Sequence, residues 1–77
     1  MATRDPNVWA HKVLALVQSG RLDAALAQTR VAPSARDIER LQALLTRLPA
    51  TRPMVQFIAQ VEEARELMAA PRLHRSP

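Results

Sequence analysis

The chain has 77 residues and no cysteine, so it has room for one domain and offers no thiol nucleophile, disulfide or cysteine-bound metal. Its hydrophobic content of 48% is too high for a disordered chain, although only Trp9 and Phe57 are aromatic. The formal net charge of +4 is compatible with an acidic partner, but ten of the eleven basic residues are arginine and alanine is abundant, a pairing typical of a GC-rich bacterial genome.

The first helix is predicted over residues 6–18. Asp5 is its expected N-cap, and Pro6 suits the first helical position because the missing N–H would have no partner there. The apolar residues of its expected inward face are Trp9, Val13, Leu16 and Val17. Because Trp9 shares this register, a core position is expected for it rather than an exposed interface position.

A tight turn is predicted at Gly20, the chain's single glycine. It follows an apolar periodic run, where a residue with positive φ can end a helix without a Cβ clash. A second helix is predicted over residues 22–30. Two helices joined this closely must lie nearly antiparallel, as a hairpin.

Five residues around this turn stand at a characteristic spacing: Trp9, Gly20, Leu22, Ala25 and Ala32. With them, residues 6–33 resemble one unit of the tetratricopeptide repeat family, in which a tryptophan, a glycine and small residues recur along a helical hairpin. The chain departs from the family pattern at Lys12, Val13, Thr29 and Pro33, and no second copy follows. The resemblance implies a helical hairpin, and it favours a protein-interaction role.

The third helix is predicted over residues 35–48. Ser34 is its expected N-cap, with Asp37 three residues on as in a short capping box, and Pro49 is expected to end it. Its heptad-spaced apolar residues are Ile38, Leu41, Leu45 and Leu48.

Three arginines, Arg36, Arg40 and Arg47, are predicted to share one exposed line of this third helix. Three interpretations are open: a solvated face, a contact for an acidic protein partner, or a contact for phosphates. In the last case the second and third helices would form a DNA-reading helix-turn-helix, although Asp37 and Glu39 flank the arginines with negative charge.

The fourth helix is predicted over residues 53–70, with Thr51 as its cap and Pro71 beyond its end. Its inward apolar residues are Phe57, Val61, Ala64 and Met68, with Met54 and Ile58 alongside. The two methionines are expected to fill the core, with an adaptable binding groove as the alternative.

Glu62, Glu63 and Glu66 form the acidic cluster of the fourth helix. A solvated face is expected for them, because Arg65 lies three residues after Glu62. A partner-binding patch and a shared cation are the alternatives.

These patterns together predict an all-α fold, a small bundle of four helices arranged as two helical hairpins. The single domain is expected over residues 5–70, with a disordered N-terminus over 1–4 and a disordered basic tail over 71–77. The expected core anchors are Trp9, Leu16, Leu41, Leu45, Phe57 and Val61.

No catalytic, cofactor-binding or metal-ligating residues are expected, because the serines and His11 lack the rigid mutual placement that a catalytic set needs. No small-molecule substrate is evident, and no apolar run is long enough to predict a membrane partner. The start of the chain lacks the pattern of a signal peptide, so a cytoplasmic location is expected. The sequence favours a non-catalytic protein–protein interaction module, self-association included; the alternative is a small DNA-binding regulator using the arginine-rich face of the third helix.

Overall fold

The computed structural model describes residues 6–70, which form a bundle of four α-helices without a strand. Their bounds are α1 Val8–Gln18, α2 Leu22–Arg30, α3 Ala35–Leu45 and α4 Arg52–Ala69. The helix α1 packs against α2 and α3, and α4 packs against α3 and α2. The predicted all-α bundle of two hairpins, α1–α2 and α3–α4, is therefore confirmed. The predictions for residues 1–5 and 71–77 lie outside the described residues.

The two hairpins lie side by side, so that α2 and α4 run in the same direction. Leu22 and Pro53, near the starts of these helices, line one concavity, while Arg30 and Leu67, near their ends, line another. At a rise of about 1.5 Å per residue, the 18 residues of α4 span about 27 Å and the nine residues of α2 about 14 Å. The last turns of α4 therefore reach past the end of α2.

The turn between α1 and α2 has the predicted geometry. Gly20 has a φ of 82°, in the left-handed region that glycine reaches without strain. Its N–H donates to the carbonyl of Val17 at 3.0 Å, and the N–H of Arg21 donates to the carbonyl of Leu16 at 2.9 Å. This pair of bonds is a Schellman motif, which satisfies the last carbonyls of α1.

The start of α1 differs from the prediction. The helix begins at Val8, and the carbonyl of Asn7 accepts the first helical bond from the N–H of His11 at 2.9 Å. Asn7 is therefore the N-cap residue in place of Asp5, and Pro6 lies in a turn before the helix. Asparagine is as good an N-cap as aspartate, and proline is equally suited to a turn, so the sequence pattern fitted both positions.

The start of α3 is as predicted, but its end is not. The Ser34 hydroxyl accepts from the N–H of Asp37 at 3.2 Å and donates to its carboxylate at 2.8 Å. The helix ends at Leu45, three residues early, because the N–H groups of Arg47 and Leu48 donate to carbonyls three residues back. A proline at position 49 disfavours helical geometry in the residue before it, and the chain tightens into this turn.

The ends of α4 fall within one residue of the prediction, since the helix spans Arg52–Ala69. Thr51 occupies the N-cap position with extended backbone, but its side chain makes no capping hydrogen bond. The predicted second helix agrees with α2 at both ends.

The core lies where all four helices face one another. Four of the predicted anchors are buried there: Leu41, Leu45, Phe57 and Val61. Trp9 and Leu16 are only half-buried and pack against the edge of the core, so their prediction as core anchors is wrong. Val13 and Val17 are buried as predicted, and Ala10 completes the inward side of α1, because α2 and α3 flank the helix on that side.

Candidate functional site

The last turns of α4 expose apolar side chains. Ala64 is buried, but Leu67 is 74% exposed and Met68 is 37% exposed. Met68 continues the inward row of Phe57 and Val61 past the point where the bundle can cover it. The expectation that both methionines fill the core therefore holds for Met54 and is wrong for Met68.

Leu67 lies on the side of α4 that faces α2. Residues spaced three and four apart share one face of a helix, and this side of α4 consists of Pro53, Gln56, Gln60, Glu63 and Leu67. The earlier members of the row line a concavity together with Leu22 and Leu26 of α2. The earlier members of the row are exposed as well, and Leu67 differs from them as a large apolar side chain that lies beside the end of α2 at Arg30.

A concavity of about 500 Å³ lies at this place, lined by Arg30, Glu63, Ala64, Leu67 and Met68. Val31, the residue after Arg30, is 72% exposed. We refer to Arg30, Val31, Glu63, Leu67 and Met68 together as the end surface. It combines exposed apolar side chains with one charge of each sign.

The two charged groups of the end surface form no ion pair or side-chain hydrogen bond within residues 6–70. Arg30 and Glu63 are both exposed, and they line the same concavity without meeting. Arg30 also occupies the last turn of α2, where a cation interacts favourably with the helix dipole. Both groups are therefore free to pair with charges of another molecule.

The neighbouring acidic residue Glu62 is engaged within the fold. Its carboxylate accepts hydrogen bonds from Arg65 at 2.7 and 3.0 Å and from the Gln42 amide of α3 at 2.6 Å. The hydrogen bond from Arg65, followed by that from Gln42, lowers the pKa of Glu62 from 4.5 to about 2. Arg65 in turn lies 3.7 Å from a carboxylate oxygen of Glu39. Glu62 thus links α3 to α4, where a solvated face was expected.

The three arginines predicted to share one line of the third helix do not do so. Arg36 is exposed on α3 and has no ion pair among the described residues. Arg40 is 33% exposed and lies 3.3 Å from the Asp37 carboxylate, which neutralises its charge locally. Arg47 lies beyond the C-cap residue Thr46 and is not on the helix, because α3 ends early.

The relation between α2 and α3 also differs from that in a helix-turn-helix. Each of these helices packs mainly on α1 and α4, so the two stand at opposite corners of the bundle. A helix-turn-helix requires its two helices to pack together before the second can enter a groove of DNA.

Trp9 borders a second surface depression. Together with Val8, Lys12 and Pro33 it lines a concavity of about 410 Å³ between the starts of α1 and α3. The Asp37–Arg40 ion pair closes one side of it. Trp9 is therefore half-buried: it packs against the edge of the core and also borders this depression.

Between residues 6 and 70, no three His, Cys, Asp or Glu side chains are grouped as a metal ion would require. Over the same residues, no helix is long and apolar enough to cross a membrane.

Leu67, Arg30 and Val31 were not predicted as site residues from the sequence. The sequence does contain a signal for Leu67: it is an apolar residue at the end of a row that is otherwise polar, Gln56, Gln60 and Glu63. The row is exposed in the structure, as its composition suggests, and the position of α2 shows that Leu67 lies beside Arg30.

Comparison with known proteins gives no relative from which to transfer a function. No protein-family model matches this chain, and neither a curated protein nor a solved structure matches it.

Proposed function

We propose that this protein is a non-catalytic helical interaction module that binds another polypeptide through the end surface. The observation that carries the proposal is the exposure of Leu67 and Met68 beside the end of α2, where they line one concavity with Arg30. The polypeptide that binds would cover Leu67 and Met68 beside the end of α2.

The energetic argument rests on the apolar side chains. Complete burial of an exposed leucine or methionine side chain contributes about 1.5–3 kcal/mol. Leu67 and Met68 stand next to each other in sequence and line one concavity, so a single partner element can cover both. Single exposed apolar residues are ordinary on protein surfaces, whereas an adjoining group of them marks an interaction site.

The polar composition of the end surface fits the same role. Protein interfaces have an apolar centre and a polar rim. Here Leu67 and Met68 are flanked by Arg30 and Glu63, which lack partners within the described residues. A partner with complementary charges would gain orientation as well as affinity.

A photoreactive amino acid placed at position 67 in the living host tests this proposal. The matched control is position 55, because Val55 is also on α4 and 55% exposed but lies outside the end surface. We expect covalent adducts with a polypeptide from position 67 and few from position 55. Absence of adducts from position 67, or equal yields from the two positions, would contradict the proposal.

A second candidate function is the binding of duplex DNA by exposed arginines. It is favoured by Arg36 and Arg47, which are both exposed and without an ion pair among residues 6–70. Phosphate contacts of this kind give affinity that falls steeply with salt. A titration with nonspecific duplex DNA at low salt tests it: binding that Arg36→Glu and Arg47→Glu together abolish supports this function, and no binding at low salt removes it.

A further inference from the structure

We infer that the polypeptide bound at the end surface is a second copy of this chain, in a two-fold arrangement that pairs Arg30 of each copy with Glu63 of the other. The inference rests on the proposed function, because both require the end surface. Beyond the proposed function, the inference identifies the partner as a second copy and names the charge pairs between the two copies.

The first argument is charge complementarity. A two-fold interface brings the same patch of both copies together, so the patch must be complementary to itself. A patch with one sign of charge would repel its copy. The end surface carries Arg30 and Glu63, one of each sign, and both lack an ion pair within residues 6–70.

The second argument is the shape of α4. Its last turns continue past the end of α2, and the apolar side chains of Leu67 and Met68 are exposed there. A second copy supplies an equivalent apolar element, its own α4 end, so that Leu67 and Met68 of both copies leave water together. A chain of 77 residues buries only about 60% of its unfolded surface, and association is a common way to add to so small a core.

The third argument concerns the opposite end of the bundle, where α2 and α4 begin. It carries three exposed arginines without ion pairs among the described residues: Arg21, Arg47 and Arg52. They outnumber the nearby carboxylate of Asp23, so two copies meeting there would bring like charges together. Among the described residues, the end surface carries both signs of charge, whereas this opposite end carries an excess of arginines.

A charge-reversal experiment on the full chain tests the inference by sedimentation equilibrium over a wide range of protein concentration. The wild type is expected to dimerise as concentration rises. Arg30→Glu alone places four carboxylates around the contact, and Glu63→Arg alone places four guanidinium groups there. Each variant by itself is expected to weaken dimerisation about tenfold or more.

An equimolar mixture of the two variants is the decisive sample. In a heterodimer, positions 30 and 63 carry two carboxylates in the Arg30→Glu chain and two guanidinium groups in the Glu63→Arg chain. Opposite charges then face each other across the contact, so dimerisation is expected to return in the mixture. A fold defect in either variant cannot produce this recovery. Arg21→Glu is the control for net charge and is expected to dimerise like the wild type.

Three results would overturn the inference: a wild type that stays monomeric at every concentration, reversals that leave dimerisation unchanged, or a mixture that does not recover it. The crosslinking at position 67 separates this failure from that of the proposed function. Adducts of other mass with a monomeric wild type would overturn the second copy and retain the module, whereas absence of any adduct would overturn both.

Discussion

Arg30, the last residue of α2, and Leu67 of α4 line the same concavity, so α2 ends where α4 still presents an apolar side chain. The two helices run in the same direction, but α4 is twice as long. This difference in length creates the end surface. Neither helix alone would show it.

Replacing Leu67 by glutamine is expected to weaken self-association about tenfold or more. Each copy loses the burial of one leucine, worth about 1.5–3 kcal/mol, and no charge is introduced beside Glu63. The stability of the isolated chain should change by less than about 0.5 kcal/mol, because Leu67 is largely exposed. Sedimentation velocity and urea unfolding at low concentration measure the two effects. Val55→Gln removes an apolar side chain of similar exposure and should leave association intact; equal effects of both variants would remove the special role of Leu67.

The pKa of Glu62 predicts a dependence of stability on pH. Hydrogen bonds from Arg65 and Gln42 lower this pKa from 4.5 to about 2 in the folded chain, so between these pH values the unfolded chain binds more protons. The contribution of Glu62 is therefore fully present above about pH 4.5 and is lost as pH falls through about 2. Urea unfolding across the acid range should show a shallower acid loss for Glu62→Gln than for wild type. Asp23→Asn, which alters an exposed carboxylate, is the control, and the same slope for Glu62→Gln as for wild type would contradict the role of Glu62.

The buried hydroxyl of Thr29 is satisfied within α2, since it donates to the carbonyl of Ala25 at 2.8 Å. Thr29→Val keeps the shape, and the helical N–H still serves that carbonyl, so the free energy of unfolding should change by less than about 1 kcal/mol. Thr29→Ser keeps the hydroxyl but removes a buried methyl group, which should cost about 1 kcal/mol. Chemical denaturation of both variants tests the order. A valine variant less stable than the serine variant would mean that the hydrogen bond outweighs the packing.

Gly20→Ala is expected to destabilise the chain through backbone strain alone. The φ of 82° costs a residue with a Cβ about 1–2 kcal/mol, and a Cβ at Gly20 would have no heavy atom within 4 Å. Gly20→Asn should cost less, because asparagine tolerates this conformation better. Unfolding in urea with helix content followed by circular dichroism measures both. No loss for alanine, or no difference between the two variants, would argue against the Schellman turn.

The helices could be predicted because their signals are local. The periodic apolar residues indicated both ends of α2, and the cap at Ser34 was placed from the four residues that form it. The end of α3 was missed because the apolar spacing continues to Leu48 and so predicts a helix up to that residue. The backbone instead changes to a tighter turn before Pro49, with hydrogen bonds three residues back. A periodic pattern of apolar residues indicates which side of a helix is apolar. It does not indicate where the backbone hydrogen bonds change from four to three residues back.

The candidate site could not be predicted because it depends on relations between helices. Trp9 and Leu16 were expected on the inward face with Val13 and Val17, but the neighbours of α1 bury Ala10 with the two valines and leave Trp9 and Leu16 at the edge of the core. The concavity that Leu67 shares with Arg30 likewise depends on the direction of α2 and on its end at Arg30. The stripe of Arg36, Arg40 and Arg47 failed for a related reason, since it required a helix that continues past Leu45.

The end surface can be located most directly by a dilution series followed in two-dimensional amide NMR spectra of the full chain. Self-association through the end surface predicts concentration-dependent shifts concentrated at residues 30–31 and 63–69. Amides near Gly20, Arg47 and Arg52, at the opposite end, should keep their positions. Spectra that do not change with concentration, or changes centred on the opposite end, would contradict the account.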